Sequence, residues 1–556
     1  MNPPPLWQLW RNPIVRRYAV SRLRPIALFG WGLPVHALGA FLWLVTYLYS
    51  HRQAGAAVEH AATLAWIYIL ALQGVLWIMK GTFSVAVGIA REGAEGLTDA
   101  QRLTPLPPAY KVLGYLFGLP ILETVLVASL LPWSIVSMAL AKIPLLIAFR
   151  VYLLLVTAAI LHHAIGLVTG TVIRQKIVAG TVSQILVVVL HLVVPLFARL
   201  GAGPLGHLGV ETAISREISP LLGKADLVSH VRFFQYSLTL TGFQWVIMAT
   251  LLAFLLSILW RKWQREDAHL FSKPLALVFL SWVFVMSLGE ICPHIADGTL
   301  LRFGRDFSVG GMNFTDEVGQ RGLTIAWAAA FGVVALIIAM LVASMITPTL
   351  DQYWRAQRAL QAQGSRRLAW TSDAASALGW VVALGLCTAA SWRCVVDQTM
   401  ATPLVAFILH PASSLPFMLA GGLLLPLLVW SALLEWRGQK MAYAAAFAFW
   451  IIPLMIVIVA MLSGVSITGW PRWFLSLSGF ALPALSLFQA LTGLSRLGDS
   501  FTALHAPWVL SLWIQSGLAI VFYCALRKAQ RSEDKESALR NARVVSRLAE
   551  PVAIAN

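Results

Sequence analysis

Long apolar runs recur along this chain and limit what it can fold into. Stretches such as LVFLSWVFVMSLGEIC and MAYAAAFAFWIIPLMIVIVAMLSG approach or exceed the roughly 20 residues that cross a bilayer as a helix. Of 556 residues 59% are hydrophobic and 12% charged, about half the charged share of an ordinary soluble domain. One soluble core cannot absorb so much contiguous apolar chain. The reading is an all-α, polytopic membrane protein.

The apolar runs place spans near 26–50, 62–90, 112–138, 145–173, 177–199, 237–260, 274–292, 322–346, 374–392, 403–434, 441–463 and 507–526. A further run, 474–492, raises the alternative of thirteen. Positively charged loops stay cytoplasmic, and the bias is read from Lys and Arg. With twelve spans, 27 of the 41 Lys and Arg lie in inner segments and 11 in outer ones. A thirteenth span would export the tail RKAQRSEDKESALRNARVVSR and its cations. Twelve spans with both termini cytoplasmic is therefore the expectation. The net charge of +17 belongs to this topology, and no nucleic-acid partner is expected.

Segment 464–506 then becomes an outer segment with a re-entrant or surface-lying apolar stretch, and 200–236 is its counterpart before the sixth span. Each half reads as two spans, an inner loop, three closely connected spans, a long outer segment and a last span. The organisation expected is an amino-terminal interfacial helix (1–25), two six-span halves (26–261 and 262–526) and a basic cytoplasmic tail (527–556). In the first segment Trp7, Trp10, Ile14 and Tyr18 share one helical face among arginines, the pattern of a helix lying in the headgroup layer. Pro13 must sit at a kink or restart; the plainer alternative is a cationic flank that only orients the first span.

Between the second and third spans the chain keeps a polar stretch, REGAEGLTDAQRLTPLP. Leu97, Ala100 and Leu103 fall on one side of a helix of two to three turns, with Glu95, Asp99 and Arg102 elsewhere. Pro105 ends it. Short amphipathic helices at a membrane rim lie on lipid or dock in a groove of another protein.

This stretch resembles the loop after the second span in permeases of ATP-binding-cassette exporters of the ABC type-2 class. The residues that carry the resemblance are Arg91, Glu92, Gly96, Leu97, Thr98, Asp99, Leu103, Thr104, Pro105, Leu106 and Gly114. It implies a coupling helix that fits a cleft in an ATPase subunit, a multi-pass protein of the inner (cytoplasmic) membrane, and ABC ATPase subunits, two copies, as partners beside the lipid bilayer. The Asn12-Pro13 and Arg16-Arg17 pairs are similar to that family's interfacial helix. Ala90 and Tyr115 depart from its pattern, and the second-half loop TPTLDQYWRAQRALQAQGSRRLAW lacks the Leu-Thr-Pro-Leu end and carries Arg355, Arg358, Arg366 and Arg367 instead. An asymmetric transporter is implied.

The chain has no G-x-x-x-x-G-K-[ST] loop to cradle a nucleotide; Gly223-Lys224-Ala225 lacks both the hydroxyl and the glycines. No enzymatic activity and no cofactor are expected of this chain; ATP and Mg²⁺ would be held by the partner ATPase.

Within the spans, Lys80 and Glu123 each lie about ten residues from the inner end of consecutive antiparallel helices, about 15 Å deep. They are expected to pair, either as a structural clamp or as a hinge or cavity lining, since intramembrane charges are costly. His162 and His163 point about 100° apart, poor geometry for joint metal ligation, and with His191 read as polar side chains satisfied between helices. The four cysteines, Cys292, Cys387, Cys394 and Cys524, show no zinc or disulfide spacing. GLVTGTVI and AGGLLLP offer small residues for close helix approach.

Two rival classes remain. A membrane transferase acting on a lipid-linked substrate would need a polar constellation at one face, for which only Asp306, Asp316 and Glu317 offer themselves. An ion-coupled secondary transporter would want several ionisable residues at mid-membrane, and there is little beyond Lys80 and Glu123.

Overall fold

Asn12-Pro13 sets where the first helix begins. In the computed structural model, which describes residues 8–52, 58–193, 207, 209–223, 230–264, 269–296, 317–363, 375–401, 415–463, 470–492 and 505–549, Leu9–Arg11 form a lone 3-10 turn. Helix α1 (Pro13–Arg22) then starts afresh, its Asn12 side chain accepting from Ile14 N at 2.9 Å. Asparagine caps a free amide and proline fills the first helical position, whose N–H has no helical partner in any case. The restart shifts the inward face. Ile14, Val15 and Tyr18 are buried while Trp10 is 63% exposed, so the expected Trp7-Trp10-Ile14-Tyr18 stripe is not continuous; Trp7 lies outside the described residues.

The chain divides into two compact units, Met1–Leu270 and Phe271–Asn556. In the first, α2 (Pro25–Arg52) is followed by α3 (Val58–Ala94), which widens into a π-helical turn at Val75–Lys80. The short α4 (Leu97–Leu103) comes next. The expected span 112–138 is three helices rather than one, α5 (Pro108–Gly118), α6 (Ile121–Ser129) and α7 (Leu131–Leu140). Pro120 and Pro132 cause the breaks, since neither can donate a helical N–H. Then follow α8 (Leu145–Val172), α9 (Lys176–Val188), α10 (Glu211–Ile218), a hairpin of β1 (His230–Phe233) and β2 (Tyr236–Thr239), and α11 (Leu240–Gln264). The hairpin is a small departure from an all-α chain.

Small residues let α8 approach α3. A Cβ at Gly166 would stand 2.7 Å from Thr82 O, so only glycine permits this crossing. One buried cluster joins five elements of this unit: Ile14 and Tyr18 of α1, Ile89 of α3, Tyr115 of α5, Leu167 of α8 and Trp263 of α11.

The second unit holds α12 (Lys273–Ala296), α13 (Glu317–Ile346), α14 (Leu350–Gln363), α15 (Leu378–Ala401), α16 (Leu415–Arg437), α17 (Gln439–Ala446), α18 (Ile452–Leu462), α19 (Pro471–Leu475), α20 (Leu482–Thr492) and α21 (His505–Ala549). Buried tryptophans tie it together: Trp392 Nε1 donates to Ala328 O at 2.8 Å, and Trp430 Nε1 to Met340 O at 3.1 Å. Gly422 packs against Ser486 of α20.

Among the described residues ten helices are long and apolar enough to cross a membrane. They coincide with ten of the twelve expected spans, α6 and α7 counting together as one stretch, Ile121–Leu140. The other two meet α9, part of a shorter apolar helix, and the 23-residue α16; residues 194–199 and 402–414 lie outside the described residues. Large apolar side chains such as Phe29, Phe149 and Trp513 face outward, each more than half exposed. A surface of that kind is solvated by lipid, and the protein is a helical, multi-pass membrane protein.

Candidate functional site

The polar stretch after the second span begins later than its composition indicates. Helix α3 runs through Arg91 and Glu92 to Ala94, so these two residues are helical rather than loop. Gly96 turns the chain with φ at 73°, a left-handed conformation that costs a side chain about 1 kcal/mol or more. Helix α4 follows and Thr104 is extended before Pro105, as the steric rule for residues before proline requires.

Glu92 is the anchor. Its carboxylate is buried and accepts from Arg17 and Tyr18 of α1, and from the Tyr115 hydroxyl of α5 at 2.5 Å. A buried carboxylate is tolerable when its lone pairs are taken in this way. Burial, and then the Glu92 charge, push the Tyr18 phenol well above the ordinary tyrosine value, so it stays a donor. Two more bonds and two close approaches lock α1 down. Asn12 Nδ2 donates to Tyr110 O at 2.8 Å, Arg22 Nη1 donates to Leu119 O at 2.6 Å, and Gly114 and Gly118 leave room for Ile14 and Tyr18.

Helix α4 is mounted on this base. Lys111 Nζ donates to Arg102 O and Thr104 O at 3.2 and 3.1 Å, covering carbonyls that a helix end leaves open. Burial, and next the Arg102 charge, hold the Lys111 ammonium below its ordinary pKa. Arg102 pairs with Asp99 and lies over the Trp263 ring, Cζ 5.8 Å from the centroid. Arg91 pairs with Glu95 at 2.7 Å on the surface. The side facing inward is Thr98, 8% exposed, whereas Leu103 is 89% exposed and Leu97 40%. The apolar side of α4 is thus its outer side. The structure therefore brings Glu92, Thr98 and Arg102 into one packed corner and leaves Leu97, Asp99, Leu103 and Pro105 on the surface.

Reading the residues in order missed Tyr18, Lys111 and Trp263 as parts of this corner. Only the Asn-Pro helix start was visible beforehand. The same end of the first unit carries α1, α4, Arg174 and Lys262, four segments that the charge count puts on one side.

Lys80 and Glu123 also meet. Lys80 Nζ lies 3.8 Å from Glu123 Oε1 and 3.6 Å from the centroid of the Trp31 ring, and Ser84 Oγ donates to the same carboxylate oxygen at 2.7 Å. Lys80 ends the π turn of α3. A π turn leaves carbonyls without their usual helical donors, and side chains take three in succession: His163 Nε2 donates to Trp77 O at 2.9 Å, Thr82 Oγ1 to Ile78 O at 2.5 Å and Gln184 Nε2 to Met79 O at 2.6 Å. His162 Nδ1 donates to Ala158 O at 2.7 Å. Its Nε2 lies 3.1 Å from Nε2 of His191. Among the described residues no group of three or more His, Cys, Asp or Glu could hold a metal ion.

In the second unit the corresponding loop is α14, opened by a reciprocal cap: Thr349 N donates to Gln352 Oε1 at 2.9 Å and Gln352 N to Thr349 Oγ1 at 3.4 Å. Trp354 is buried and Arg355 exposed. Arg366 and Arg367 lie outside the described residues, as do Asp306, Asp316 and Lys224. Glu435, not singled out by sequence, is 3% exposed and accepts from Ser376 Oγ at 3.1 Å and Gln530 Nε2 at 3.2 Å.

Fold and site together define a multi-pass helical membrane protein with a rigidly mounted, outward-facing amphipathic helix on its polar rim. No family model, curated protein or solved structure matches the chain.

Proposed function

We propose that this chain is the membrane-spanning permease of an ATP-driven exporter of the ABC type-2 class, coupled through α4 to separate ATPase subunits. The supporting observation is the mounting of α4. Leu103 stands almost fully exposed on a seven-residue helix whose base is fastened by Glu92, Tyr115 and Lys111. An apolar knob on a stiff base can be gripped by a groove and can transmit force, which a frayed loop cannot. Two ATPase subunits, closing on ATP and Mg²⁺, would push α4 in the first half and α14 in the second, and the halves would change the side to which a path opens. Twelve spans in a six-plus-six arrangement, with 474–492 re-entrant and both termini cytoplasmic, belong to this reading. Within it Lys80 and Glu123 clamp the second and third spans so that they move together.

The test is a photo-crosslinking residue at Leu103 in the native host. The product expected is an adduct to a polypeptide carrying a G-x-x-x-x-G-K-[ST] loop, lost when Leu97 is changed to Asp. Labelling of Leu103 from the outer side, or adducts to lipid alone, would refute the proposal.

A further inference from the structure

Helices α12 and α15 of the second unit run side by side in the same direction. Lys273 Nζ donates to Ala375 O at 2.7 Å where they begin, and Ser281 Oγ lies 3.5 Å from Cys387 Sγ further along. These two contacts carry the alignment to the far ends. Cys292 is 11 residues beyond Ser281 and Cys394 is 7 beyond Cys387; at about 100° per residue, both stay within about 20° of the facing sides. Counted from Ser281 and Cys387 the two thiols differ in height by about 6 Å. Counted from Lys273 and Ala375, each is 19 residues on, level with the other.

A second observation agrees. The Cys292 and Cys394 side chains lie within electrostatic range of each other, and both are free thiols, Cys292 half-buried and Cys394 exposed. Cys387, about 10 Å from Cys394 along α15, is too far away to compete for it. Pro293 follows Cys292 inside α12 and removes the helical hydrogen bond to residue 289, so the last turn of α12 can close on α15.

We infer that Cys292 and Cys394 are a disulfide-forming pair that ties together the outer ends of the seventh and ninth spans. On the twelve-span topology these ends face outward, the side on which thiols are oxidised. The step is thiol–disulfide exchange: one S–S bond forms between the two Sγ atoms, and their two protons and two electrons convert the disulfide of an exported thiol oxidase into two thiols. The link closes a loop of about 100 residues, long enough to stabilise the folded state strongly. The inference rests on the sidedness of the topology and not on the exporter reading.

The experiment is peptide mapping by mass spectrometry of the full-length protein, alkylated in native cells before extraction, and again after the purified protein is equilibrated with oxidised or reduced glutathione. From cells and from the oxidised sample the expected product is one linked peptide pair containing Cys292 and Cys394, with alkylatable thiols falling from four to two and returning to four on reduction. The oxidised protein should unfold several degrees above the reduced one, a difference absent from Cys292→Ser with Cys394→Ser. Cys387→Ser should keep the link. If the double serine variant does not fold, the parent's peptide map decides. Links of either residue to Cys387, Cys524 or another chain, or four free thiols in oxidised glutathione, would overturn the proposal. A link formed in the purified protein but absent from cells would overturn it as a native modification.

Discussion

Tyr115 donates its hydroxyl to Glu92 Oε2 at 2.5 Å while its ring stacks on Trp263, and Glu92 in turn accepts from Arg17 and Tyr18. One carboxylate thus fastens the amino-terminal helix, the end of the second span and the start of the third. Glu92→Ala strands two phenols and a guanidinium. It should cost about 2 kcal/mol and release α1, seen as faster tryptic cleavage at Arg16 and Arg17. Glu92→Gln, which keeps an acceptor, should show a smaller effect; identical cleavage of parent and Ala variant would contradict the anchor.

The phenol of Tyr18 adds a pH dependence. Burial, and then Glu92, raise its pKa in the folded protein. A raised pKa means that its stabilisation is complete below the ordinary phenol value of about 10 and drains away as pH climbs beyond it. The thermal midpoint in detergent should fall above about pH 10, and Tyr18→Phe should shrink that fall.

Lys80 and Glu123 are a coupled pair at 3.8 Å, with Glu123 only 2% exposed. Removing Lys80 alone leaves a buried carboxylate without its counter-charge, which should cost about 2 kcal/mol or more. Lys80→Ala with Glu123→Ala should be milder than Lys80→Ala by itself. Equal losses in unfolding midpoint or yield would count against pairing.

Gly166 offers a steric test. Alanine there meets a backbone carbonyl, Thr82 O, which cannot swing away, so Gly166→Ala should destabilise by about 1–3 kcal/mol. At Gly30 a Cβ would meet nothing within 4 Å, and Gly30→Ala should be neutral. Thermal unfolding of the two variants side by side decides.

Leu103 separates folding from partnership. At 89% exposure its change to Asp should move stability by no more than about 0.5 kcal/mol, yet abolish co-purification with the proposed ATPase partner. A destabilised Leu103→Asp protein would instead mean that Leu103 is packed.

Where the sequence was legible, a local rule was enough. Run length marked the membrane helices, and a Thr-Pro pair ended α4. Opposite charges at equal depth brought Lys80 to Glu123, because antiparallel neighbours share a depth scale. Boundaries failed where a helix could run on: nothing in Arg91-Glu92 stops α3, and prolines at 120 and 132 divided a span that hydropathy alone shows as one.

By itself the chain determined that it lives in a bilayer, where its apolar stretches lie and that Pro13 sits at a kink or restart, since hydrophobic length and backbone sterics are local properties. Tertiary structure alone decided that Glu92 is an anchor and that the apolar side of α4 faces outward. It also set Trp263 beside Arg102, 161 positions apart in the chain. Burial is a relation between elements: the same amphipathic turn presents leucine to solvent or to the core according to what it is mounted on, and no periodicity within seven residues carries that information.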